Sequence, residues 1–260
     1  MFDINNFVVD RILRGVMTST SDGSALWSVN QLTNPKLSIT SDTKDAVDAV
    51  GNTIATFSRG KKAAFTAENS LFDLSLLAAQ SGTSKVIGTE SAKITVPAFE
   101  EIAVKGTTVV LSNTPKAAIN ELYVLNGDGT LGTKYTSGAA VSTSNFTFDS
   151  ASKTITLPTA VKSGSVFVMY DYDKADAVSV TSTAKEFPSA GKFVMEVLGC
   201  NPCDSTAKIY AFLIFPNAKL DAAFDYTFAT DSTHPITLNA NIDYCDPEKK
   251  LFQIIVPDYE

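Results

Sequence analysis

His234 is the only histidine, and it stands before Pro235 in the turn-like run Asp231-Ser232-Thr233-His234-Pro235. A serine or cysteine nucleophile needs a base beside it, most often histidine, so this one residue would have to carry all such chemistry. A structural role reads better for it. With Cys200, Cys203 and Cys245 it would make a Cys3His set for zinc. Strong zinc signals come as two paired halves, whereas His234 and Cys245 stand at opposite ends of one expected strand. At ~3.3 Å per residue that strand spans about 33 Å, far beyond a ligand shell. No metal is expected. Three cysteines in a chain of this size read as free thiols rather than a disulfide framework. A Cys200–Cys203 redox pair lacks a surrounding βαβ pattern.

Asp171, Asp173 and Asp176 are spaced as calcium ligands could be, but the glycine and the distal glutamate of such a loop are missing. A solvated strand end accounts for them. Gly127, Gly129 and Gly132 have neither the spacing nor the following helix of a phosphate loop, and read as a hairpin turn. No cofactor is implied and the chain reads as non-enzymatic.

The elements that would position these residues are mostly strands. Of 260 residues, 44% are hydrophobic and 19% charged, which is a globular composition, and the length holds one large β domain or two smaller ones. The formal net charge of -7 argues against a surface that grips nucleic acid. No apolar run is long enough to span a bilayer, and the N-terminal stretch does not read as a secretory signal, so synthesis in a cytoplasm is expected.

Alternating segments at 25–32, 35–40, 46–58 and 61–68 read as strands, with Ser58-Arg59-Gly60-Lys61 as a hairpin turn. Residues 69–82 break the period: Leu71, Leu74, Leu77 and Ala78 recur at helical spacing, Asn69 or Ser70 can cap, and Gly82 suits the helix end. From 97 to 185 short strands alternate with turns at the spacing of a small sandwich. Longer strands return at 192–199, 207–215, 222–230, 235–245 and 251–257. The expected fold is mainly β, an antiparallel sandwich or barrel made of 1–96 and 186–260 with one flanking helix and an inserted small β-sandwich domain at 97–185.

An N-terminal arm, the hairpin AVDAVGNTIATFSRGKKAAFTAEN running into SLFDLSLLAAQSG, and the late strands around FLIFPNAKLDAAFDYTFATD and ANIDYC together resemble phage tail tube proteins. The resemblance covers about 1–96 and 186–260. It implies a virion tail component whose subunits form hexameric rings stacked into a hollow tube. Other tail proteins would be partners, and DNA would pass without specific binding. It also implies that 97–185, which looks immunoglobulin-like, decorates the outside. A capsid or decoration protein, or an adhesin or carbohydrate-binding module, would share parts of the profile.

Within a tube, the helix is expected to pack Leu71, Leu74 and Leu77 on the sheet near a subunit boundary. The polar sides of 222–230 and 235–245, namely Asp225, Thr227, Thr237, Asn239, Asn241 and Asp243, are candidates to face the lumen.

Overall fold

A computed structural model describes residues 6–257 except 243 and 245, with the side chains at 204 and 205 set aside. In chain order its elements are β1 (Val8–Ser19), β2 (Ala25–Val29), β3 (Leu32–Val47), β4 (Thr53–Asn69), α1 (Leu74–Gln80), β5 (Val86–Ile87), β6 (Ile94–Ala103), β7 (Thr108–Val110), β8 (Glu121–Leu125), β9 (Leu131–Ser137), β10 (Asn145–Asp149), β11 (Thr154–Thr156), β12 (Ser165–Lys174), β13 (Val178–Ser179), β14 (Ala190–Asn201), β15 (Asp204–Leu220), β16 (His234–Ala240) and β17 (Gln253–Ile255). The chain is mainly β, as the alternation implies. It divides into two compact units, one formed by the residues up to Lys85 with those from Val180 onward, the other by Val86–Ser179.

The first unit is one antiparallel sheet in the order β2-β1-β14-β15-β16-β4-β3, with β17 also on β15. Two strands separate β14 from β4 in that order, so a flat sheet would hold their side chains about 14 Å apart. Instead Phe65 of β4 and Phe193 of β14 meet with ring centroids 5.3 Å apart, and Phe215 of β15 lies 6.3 Å from each. The sheet therefore curls around its own core into a barrel-like body, which also buries Met17, Trp27, Leu76, Ile236 and Leu238. Gly15 allows a close approach where β1 passes β3: a Cβ there would come within 2.9 Å of Leu32 Cδ1 and 3.1 Å of the Phe193 ring.

Helix α1 is shorter than the expected 69–82. Asn69 still pairs in register with Leu32 and His234, and the Ser70 amide donates to the Gln31 carbonyl, so the strand ladder runs on to this point and the helix starts only at Leu74. Asp73 caps instead, its carboxylate accepting from Leu76 N at 2.7 Å. Gly82 takes φ 71°, and Thr83 N donates to Ala78 O at 2.9 Å, closing the C-terminus as a left-handed glycine cap.

The second unit is a sheet in the order β6-β12-β8-β9-β10-β11-β7, antiparallel except for the short β9–β10 pairing. Its own core holds Leu122, Phe146, Ile155, Val166 and Val168, all fully buried. The Gly127–Gly129 region makes the β8–β9 turn, with Asn126 N donating to Thr130 O. The unit's first and last strands, β5 and β13, pair with each other.

Two strand expectations are corrected. Residues 222–230 form no strand, and their alternation survives only in part: Phe224 and Tyr226 are half-buried while Asp225 and Thr227 are exposed, but Phe228 is 87% exposed as well. The hairpin turns at 48–52, not at Ser58–Lys61, which lies inside β4 beside a register shift.

Candidate functional site

The most conspicuous feature outside the cores is the hairpin of β3 and β4. Its pairing runs unbroken in direction from Leu32↔Asn69 to Val47↔Thr53. The sheet supports only its base, since β16 follows β4 no further than the Asn239↔Ala64 pair. Beyond Ala63 the arm is a bare two-stranded ribbon. Residues 39–62 are exposed on both faces apart from half-buried Ala46 and Asp48. The tip is built to hold its shape: the Asp48 carboxylate accepts from the amides of Val50 and Asn52 and from Asn52 Nδ2, at 2.8–3.0 Å. Those bonds, led by Asn52, hold the Asp48 carboxyl below its usual range. Gly51 supplies φ 97°.

The arm's surface is divided along its length. Near the base it carries Asp42, Arg59, Lys61 and Lys62, with Lys62 Nζ 3.5 Å from Asp42. Toward the tip it exposes Val47, Ile54 and Phe57, and Val50 at 88%. Among the described residues no strand pairs with the outer edge of β3 or of β2.

The lumen candidates fall into two groups. Thr237 and Asn239 lie on β16, alternating with buried Ile236 and Leu238, and Asn241 follows exposed. Asp225 and Thr227 are exposed in the irregular segment after β15. Asp243 and Cys245 lie outside the described residues. Of the helix candidates, Leu74 and Leu77 are half-buried, while Leu71 precedes the helix and is 60% exposed. The helix residue anchored in the core is Leu76, one the periodicity did not select.

His234 has a structural setting. It is fully buried, Phe72 stacks on it at 5.3 Å, and Tyr226 meets it edge-on at 5.6 Å. Gln80 Nε2 donates to Pro235 O, which turns Gln80 Oε1 toward His234 Nε2 at 2.7 Å. The imidazole proton therefore sits on Nε2, and Nδ1 accepts from Asp73 N at 3.4 Å. Burial lowers the histidine pKa, and the Asp73 charge opposes that. Cys200 and Cys203 are free thiols. Asp173 is occupied by Lys116 at 2.9 Å and Thr95 at 2.7 Å.

An acidic chain with a bare, shape-locked arm and unpaired sheet edges has the anatomy of an assembling subunit, and comparison with known families agrees. The model of the YomU/Tube protein family matches residues 7–250. The chain belongs to the YomU/Tube protein family. Membership of that family is consistent with a phage tail tube protein, a structural component of the virion tail that assembles with other tail subunits. It points to a non-enzymatic role. No curated protein matches the sequence.

Proposed function

We propose that this YomU/Tube chain closes into hexameric rings that stack as a tail tube, with a lumen through which DNA passes unbound. The arm carries the reading. A two-stranded ribbon on its own is marginal in water, and unpaired edges invite pairing with another chain. A ring in which each copy extends its neighbour's sheet removes both problems by closure. Asp225, Thr227, Thr237, Asn239, Asn241 and Asp243 are the proposed lumen residues. In support, Thr237 and Asn239 share the wet side of β16, and the set is neutral or acidic, which gives DNA no cationic surface to hold it.

Leu74 and Leu77, half-buried on the helix, and exposed Leu71 just before it are the proposed subunit-packing residues, set on the sheet near a subunit boundary. The insert expected at 97–185 is proposed as an immunoglobulin-like outer module; that it is separable is supported by the compact unit Val86–Ser179 and the pairing of that unit's ends through β5 and β13. Synthesis is in the host cytoplasm, and other tail proteins meet the ends of the tube. Negative-stain microscopy of the purified chain tests the proposal: six-fold rings or stacked tubes are expected, and monomers at all concentrations, or closed shells, overturn it.

A further inference from the structure

One face of the second unit's sheet is apolar where water meets it. Along β12 the side chains alternate: Val166, Val168 and Tyr170 enter the core, and Phe167, Met169 and Asp171 point the other way. The register sets Phe99 of β6 opposite Met169, Glu101 opposite Phe167, and Pro97 opposite Asp171. Phe99 is 66% exposed and Met169 45%, and the rings of Phe99 and Phe167 lie nearly parallel with centroids 6.4 Å apart. Tyr123 of β8 pairs with Phe167 and extends the row. The solvent side of an antiparallel sheet is ordinarily polar, and apolar side chains that adjoin instead of standing singly mark a contact surface.

The charges beside this patch indicate its partner. The ammonium groups bordering the face are already paired, Lys116 with Asp173 at 2.9 Å and Lys134 with Glu121. Glu101 and Asp171 are exposed carboxylates with no cation against them among the described residues. They bracket the Phe99 and Met169 pair, four residues apart along the strands, or about 13 Å at ~3.3 Å per residue. An extended chain presents its residues i, i+2 and i+4 on one side at that same spacing. β6 is the outermost strand of its sheet and carries Pro97, which has no N–H to give an added strand, so the face rather than the edge is the open surface. We infer that this face binds an extended basic segment of another protein, with a cation at each end set against Glu101 and Asp171 and an apolar residue between them on Phe99 and Met169. A neutral glycan could stack on the rings but would leave both carboxylates uncompensated. The inference concerns the second unit alone and stands whether or not the tube reading holds.

A fluorescein-labelled peptide of the pattern Lys-Thr-Val-Thr-Lys, titrated with the full-length chain and followed by anisotropy, tests this. Saturable binding that weakens as salt rises is expected, with little for a twin carrying Gln in place of both Lys. Glu101→Lys, Asp171→Lys and Phe99→Ala should each weaken it on the order of tenfold, as for loss of an interface anchor. All three positions are exposed, and unchanged melting shows that each variant folds. Asp231→Lys, the same charge change at an exposed site of the first unit, should bind like wild type. A peptide that binds no better than its Gln twin, or that is weakened as much by Asp231→Lys as by Glu101→Lys, overturns the inference. So does a neutral glucan oligosaccharide that binds, and is lost with Phe99→Ala, where the peptide does not bind.

Discussion

His234 makes the first unit sensitive to acid, in a direction and range that can be worked out. In the unfolded chain an imidazole titrates near about 6.5. In the fold, burial depresses that value, and the Asp73 carboxylate, the charged group acting on the ring, offsets only part of the effect. Below about 6.5 the unfolded chain takes up a proton that the folded chain refuses, so the unfolded state binds more protons and stability falls with pH. The contribution is complete above about 6.5 and is lost at up to about 1.4 kcal/mol per pH unit until the folded pKa is reached. Moving from pH 7.5 to 5.5 should therefore cost about 1.4 kcal/mol at most from this residue.

The geometry says where the cost arises: a proton on Nδ1 would face the Asp73 N–H that now donates to it. Carboxylates such as Asp48 and Asp173, whose pKa values are lowered, titrate below this window. Urea unfolding followed by Trp27 emission reads the first unit, since Trp27 sits in its core. The wild-type midpoint should drop between pH 7.5 and 5.5, and His234→Gln, less stable at both, should show a flatter difference. A wild-type midpoint that does not move, or a His234→Gln slope equal to wild type, would refute the reasoning.

Leu76→Ala should cost about 2–5 kcal/mol by emptying a fully buried site, whereas Leu71→Ala should leave monomer melting unchanged and weaken only assembly; thermal melts beside sedimentation separate the two. Gly82→Ala should destabilise by more than the roughly 1 kcal/mol of a strained left-handed residue, because its Cβ would lie 2.4 Å from the Phe187 backbone; a melt within error of wild type would contradict this. Replacing 86–179 by a short Gly-Ser bridge should leave the Trp27-reported transition and the tubes intact, since loop closure costs little. Loss of rings by a folded deletion protein would make that unit part of the ring contact. Asp225→Lys should assemble normally and slow DNA ejection in a salt-dependent way, and ejection unchanged at low salt would remove Asp225 from the lumen.

The two-residue period was legible wherever a strand had one face on the core: Ile236 and Leu238 are buried and Asn239 is exposed, as the alternation implies. The same pattern at 222–230 misled, because any extended segment beside a core alternates. Phe224 and Tyr226 gather around His234, but no neighbouring strand offers a ladder there. Gly60 attracted the turn assignment because glycine suits a hairpin turn, whereas its φ of 58° serves a register shift within β4. The real turn carried its own signal in Asp48-Ala49-Val50-Gly51-Asn52, an Asp able to cap amides ahead of a glycine. The Gln80–His234 bond joins residues far apart in sequence, and no local pattern announces it.

The charge layout of the arm decides what kind of contact it can make. A long two-stranded ribbon with a free edge is ordinarily an aggregation hazard, and charged residues along the edge are the usual protection. Here Asp42, Arg59, Lys61 and Lys62 guard the base and Lys44 stands opposite Phe57, while the end of the ribbon, with Val47, Val50 and Ile54, carries no cation. Indiscriminate pairing along the ribbon is thereby disfavoured, and on the proposed reading contact is left to the tip, where the Asp48-capped turn holds one shape. A confined, shaped, apolar end is selective, whereas a sticky edge would accept any strand. The net charge of -7 keeps free copies apart at long range, and short-range apolar contact then decides which encounters persist. On the tube reading proposed above, such a specific, concentration-dependent contact is what ordered growth from a single kind of chain requires.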